Sequence, residues 1–141
     1  MDEALRELVD GWLAKAETDW KAAGRLEPGD DEEDYDPVYY NVAAFHLQQA
    51  AEKTLKAFLA RHSVAFMKTH HLDKLLGLAA TVDVGFDSLA DAAETLAPFA
   101  VEVRYPGDWD ELSRDEYVEA RQAAEKITET VMERMGDPGV G

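Results

Sequence analysis

The chain has 141 residues, 46% of them apolar, which is enough for one domain around one core. It has no cysteine, which excludes disulfides and thiolate metal sites and fits a reducing compartment. A formal net charge of −16 argues against a long phosphate-binding surface, and no run nears the roughly 20 apolar residues of a membrane span. The start, Met1-Asp2-Glu3-Ala4-Leu5-Arg6-Glu7, lacks the basic head and apolar core of a signal peptide, so the expectation is a soluble cytoplasmic protein.

The first element is a helix from about Asp2 to Arg25. Leu5, Leu8, Val9, Trp12, Leu13, Ala16, Trp20 and Ala23 recur at three- and four-residue steps. It stops before Pro28-Gly29, and the carboxylate-rich stretch 29–37 reads as a loop whose like charges repel. Its spacing matches no calcium loop, so a solvated charge run is the better reading.

Helix two spans about Val38 or Tyr39 to His62, with Leu47, Ala51, Leu55, Phe58 and Leu59 as its buried stripe. On a wheel, His46, Gln49, Lys53 and Lys56 fall within an arc of roughly 80° opposite that stripe, with Gln48 and Glu52 on the flank. Such a seam offers two ammonium groups, an amide and an imidazole to a phosphate or a base; taken alone, an amphipathic helix's polar stripe is more often a solvated face or a seam against a second subunit. Between Asn41 and Leu76, Lys53, Lys56, Arg61, Lys68 and Lys74 face only Glu52 and Asp73. This locally basic segment in an acidic body suits a compact anionic ligand better than a duplex.

Helix three is expected after Thr69 as N-cap, burying Leu72, Leu75, Leu76, Ala79 and Val82. His70 and His71 point about 100° apart on a helix and cannot chelate one metal together; His70 is a candidate ligand contact beside free backbone donors. Helix four begins near Asp87 or Ser88, with a kink or break at Pro98. Arg104-Tyr105-Pro106 then turns the chain: Arg104 has the fork for a phosphate or carboxylate and Tyr105 can stack or donate, unless Arg104 pairs with a buried acid such as Glu52. The last helix opens with the capping box Ser113-Arg114-Asp115-Glu116, buries Tyr117, Ala120, Ala124, Ile127 and Val131, and ends near Met135. No segment reads as a convincing strand. The expected architecture is all-α, an antiparallel bundle of four to five helices over residues 1–135, with a disordered tail at 136–141.

No phosphate-binding glycine-lysine loop, metalloprotease helix or nucleophile elbow is present, and the chain holds three serines. No cofactor, metal ligand set or catalytic residue is assigned. Three segments, on helix two, at the start of helix three and after helix four, together resemble one family, the HEPN domains (higher eukaryotes and prokaryotes nucleotide-binding). Phe45-His46-x-Gln48-Gln49-Ala50-Ala51-Glu52-Lys53-x-Leu55-Lys56-Ala57 looks like its second-helix signature. Thr69-His70-x-Leu72-x-x-Leu75-Leu76 looks like its third-helix start, and Arg104-Tyr105-Pro106 like the turn after its fourth helix.

The resemblance implies a helical homodimer that binds nucleotide or RNA, often beside a minimal nucleotidyltransferase in a toxin–antitoxin-like pair. Many members are metal-independent ribonucleases with an arginine, four to six residues and then a histidine. This chain departs from that pattern: no histidine follows His71, and Arg61-His62 are adjacent. The expectation is a nucleotide- or RNA-binding protein without the usual ribonuclease motif, using His46, Gln49, Lys53, Lys56, His70, Arg104 and Tyr105. The alternatives are a dimerisation or interaction module without a ligand, and a ribonuclease that recruits His46 or His70.

Overall fold

The computed structural model describes residues 2–28, 36–101 and 111–136. Among them are five α-helices and no strand: α1 Glu3–Leu26, α2 Val38–Arg61, α3 Leu72–Val82, α4 Ala90–Leu96 and α5 Arg114–Met135. Two 3-10 segments, Val84–Leu89 and Ala97–Phe99, flank α4. Most of the 29–37 loop, Arg104, Tyr105 and the tail from 137 lie outside the described residues. No described helix is long and apolar enough to cross a membrane.

Sequence chemistry explains most boundaries. The Asp2 side chain accepts from Leu5 N at 2.7 Å and starts α1. Ser113 and Glu116 exchange side-chain-to-backbone bonds, both 3.1 Å, and start α5. At the end of α2, Ser63 N donates to Ala60 O and Val64 N to Leu59 O, a Schellman turn. It places Ser63 at φ 56°, a left-handed conformation with no glycine to relieve it. Pro98 sits where α4 gives way to 3-10 geometry, as the missing donor requires.

Two boundaries differ from expectation. Thr69 does not cap α3: its Oγ1 accepts from His71 N at 3.1 Å, closing a local turn, and His71 becomes the N-cap residue. The segment before α4 starts earlier than Asp87, because the Asp83 carboxylate accepts from Gly85 N and nucleates the 3-10 turn.

The core is organised around α2. From Leu47 to Ala60 every residue except Lys53 is buried, so this helix is an axis rather than a one-faced surface element. Ala43, Ala44, Ala50, Ala51, Ala57 and Ala60 let neighbours approach it from several sides. Leu72, Leu75 and Ala79 of α3, Phe86 and Leu89, Leu96 of α4, and Ile127 and Val131 of α5 complete the core. Phe58 meets Phe86 edge-on at 4.7 Å.

The helix directions follow from residue pairings. Asp19 meets His46 and Lys53 while Trp12 meets Lys56, so α1 runs antiparallel to α2. Glu27, just past α1, accepts from Tyr117 and Arg121 near the start of α5. The helix α1 is therefore antiparallel to α5 as well, and α2 and α5 run the same way. Burial works to lower the Arg121 pKa, but bonding and attraction to Glu125 and Glu27 outweigh it and hold the guanidinium above its ordinary value.

Candidate functional site

The polar arc of α2 does not face solvent. The helix α1 packs over it and brings Asp19, itself buried, against the arc. Asp19 Oδ1 lies 2.8 Å from His46 Nδ1, and Asp19 Oδ2 receives Lys53 Nζ at 2.5 Å. Lys56 and Gln49 are buried outright. The reading of the arc as a solvated or open face is thus corrected: an isolated wheel shows which residues share a side, but not that a second helix supplies the counter-charge.

A second carboxylate repeats the arrangement. Glu52, with its side chain 2% exposed, accepts from Lys56 Nζ at 3.0 Å through Oε2. Its Oε1 lies 2.9 Å from His70 Nδ1. Each buried acid therefore has an ammonium on one oxygen and an imidazole on the other. The cause is the low dielectric of the seam: an unpaired carboxylate there would be costly, so each oxygen has a partner. Lys56 also lies 5.3 Å from the centre of the Trp12 ring, which covers its remaining side.

Glutamines extend the second cluster. Gln49 Nε2 donates to Gln48 Oε1 at 2.8 Å, and Gln48 Nε2 donates to the His70 carbonyl at 3.1 Å. The loop before α3 is therefore tied to α2 through both the backbone and the ring of His70. The His70 side chain is nonetheless 61% exposed, against 28% for His46. His70 is the point where the buried network reaches the surface.

The structure thus brings His46 and Lys53 together in one cluster and Gln49, Lys56 and His70 in the other. The expected sites Arg104 and Tyr105 lie outside the described residues. Asp19 was missed by the sequence reading, and a signal for it existed. It stands three residues after Ala16 and four before Ala23, an acid inside the apolar stripe of α1. Leu8, expected in that stripe, is exposed. No grouping of three metal-ligating side chains occurs among the described residues. A groove of about 330 Å³ runs between α1 and α5, floored by Ala50 and Thr54 and walled by Leu13, Trp20 and Met132.

A family model for the HEPN domain matches residues 9–135. The chain belongs to the HEPN domain family. No curated protein and no solved structure matches it. The family match spans α1 from Val9 through the last residue of α5, so both acid–base clusters of this HEPN domain lie inside the matched region. The second-helix signature is the very segment that carries them: Gln48, Gln49, Glu52, Lys53 and Lys56 all contribute side-chain bonds, and most are to partners on α1 or the loop before α3.

Proposed function

We propose that this HEPN protein binds nucleotide or RNA, and does so as a homodimer serving a minimal nucleotidyltransferase in a toxin–antitoxin-like pair in the cytoplasm. One observation supports the ligand reading above the others: His70 is a surface imidazole whose Nδ1 is held by the buried carboxylate of Glu52. A solvated histidine needs no such support, whereas a ligand contact gains from a fixed ring orientation. His70 is the principal contact in this reading, His46 a second at the edge of the α1–α2 seam, and Arg104 and Tyr105 remain contacts assigned on sequence grounds. Lys53, Lys56 and Gln49 become framework, because each is bonded to a partner inside the protein.

The test is a thermal-shift and titration screen of the purified protein against ribonucleotides and short RNAs. A ligand should raise the melting temperature of the native protein and lose that effect in His70→Ala. Lys56→Met should lower the melting temperature with or without ligand. If no nucleotide or RNA stabilises the native protein, the reading is wrong and the search moves to a protein partner.

The paired imidazole–carboxylate contacts also favour a second reading, a metal-independent ribonuclease using His46 or His70 as general base toward a ribose hydroxyl. Chelator-treated protein incubated with RNA separates the two. Cleavage that disappears in His46→Ala or His70→Ala would install the enzyme; intact RNA favours binding without cleavage.

A further inference from the structure

We infer that Glu52 is a positioning residue that holds His70 in the tautomer protonated at Nδ1, leaving Nε2 at the surface as a neutral acceptor for a ribose hydroxyl. The inference deepens the nucleotide- or RNA-binding reading and rests on it. It names the part of the ligand that this site recognises: the sugar rather than the phosphate.

The argument starts at Glu52. One of its oxygens accepts from the Lys56 ammonium, and the other lies 2.9 Å from His70 Nδ1. A carboxylate engaged in this way only accepts hydrogen bonds, so the proton between Glu52 and His70 sits on Nδ1. In a neutral imidazole the other nitrogen is then an acceptor. Free neutral histidine prefers the opposite tautomer, so the protein inverts the intrinsic preference of the ring. The backbone that carries the ring is also held, because Gln48 bonds the His70 carbonyl and Gln49 bonds the Gln48 amide oxygen.

Charge decides what such an acceptor takes. Asp19 and Glu52 cancel Lys53 and Lys56, so with neutral imidazoles the network offers no net positive charge to a phosphate. The chain around it carries −16 overall. A neutral acceptor nitrogen repels a phosphate oxygen and pairs with an O–H donor. Lys68 and Lys74, exposed on either side of His70 in the chain, remain available for phosphate, so the role of His70 is best read with ligands that have none.

His71 supplies an internal control. It is exposed like its neighbour, yet its ring has no hydrogen-bond partner among the described residues. Nitrogen-15 NMR of the full chain labelled at histidine should give His70 protonated at Nδ1 and His71 in the ordinary Nε2-protonated form. Glu52→Gln should return His70 toward the ordinary form. Titration with the four ribonucleosides and their 2′,3′-dideoxy counterparts should show at least one ribonucleoside binding about tenfold tighter than its counterpart, the worth of one hydrogen bond from a hydroxyl. That ratio should fall to near one in Glu52→Gln and in His70→Ala, the latter a surface change that keeps the fold if the former does not.

An Nε2-protonated His70 in the native protein overturns the inference without any ligand experiment. So does equal binding of ribo and dideoxy compounds, which would leave the nucleotide-binding reading standing. Failure of every nucleoside, nucleotide and RNA to bind overturns both.

Discussion

Removing the ammonium of Lys56 is the most direct test of how the α2 seam is built. In Lys56→Met the aliphatic stem keeps its volume, but Glu52, 2% exposed, is left with His70 alone. Breaking a buried ion pair from one side costs about 3–5 kcal/mol, because the remaining charge is desolvated and uncompensated. Two features set the expected value at the lower end, about 3 kcal/mol: His70 keeps its contact with Glu52 from the solvent side, and methionine still packs on Trp12. For a chain of this size that is a fall in melting temperature of roughly 10 °C. The double variant Glu52→Gln/Lys56→Met removes both charges and should recover most of the loss. Urea unfolding at two salt concentrations is the assay, since a buried pair is screened little. The exposed Lys21–Glu17 pair is the control, and Glu17→Gln should change stability by no more than about 0.5 kcal/mol. A loss below about 1 kcal/mol in Lys56→Met would refute the reasoning, and would return Lys56 to the pool of ligand contacts.

Other positions give independent checks. Phe58→Ala should cost about 3–5 kcal/mol in urea unfolding, since the ring is fully buried against Phe86 and the cavity cannot close around the central helix. Ser113→Ala should cost about 1 kcal/mol by opening the capping box of α5. Ser63→Gly should stabilise by roughly 1 kcal/mol, because it relieves a left-handed residue and leaves the Schellman bonds in place. Burial against Phe58, and then the charge of Arg61, lower the His62 pKa from its ordinary 6.5. The unfolded chain therefore takes this proton first as pH falls. Its contribution to stability is complete above 6.5 and is lost as pH drops through the lowered folded value, and His62→Gln should flatten that part of the stability–pH curve. The ring is largely exposed, so the effect is small.

The helical architecture was legible because its signals are local. Apolar periodicity located α2 and α5 within a residue or two, and the Ser113–Glu116 box and the Pro98 break were readable from single side chains. Where competing local bonds exist, the reading slipped. Thr69 had the right chemistry for a helix cap but spent its hydroxyl on the turn at His71, and Asp83 started a 3-10 segment that no periodicity announces. Neither error moved a core residue, because Leu72, Leu75, Leu76 and Ala79 keep their face whichever residue caps the helix; only Val82, expected beside them, is exposed.

The candidate site was legible in its members and not in its sense. His46, Gln49, Lys53 and Lys56 do share one side of α2, but a wheel treats the absence of apolar residues as exposure to water. That inference fails for a helix surrounded by others, where a polar side is stable if the neighbour brings matching charge. The matching charge was in the sequence as Asp19, an acid set between Ala16 and Ala23 on the inward stripe of α1. Reading the two helices as a pair would have joined them: a lone acid on one buried stripe, and an excess of cations on a facing arc, together specify a closed seam. The same comparison isolates His70, whose partner Glu52 is buried with no free oxygen while its own ring stays in water. A histidine that gives one bond to the interior and has its ring largely at the surface is what remains once the framework contacts have been subtracted. On that ground the proposed ligand contact is placed on His70 rather than on Lys53 and Lys56.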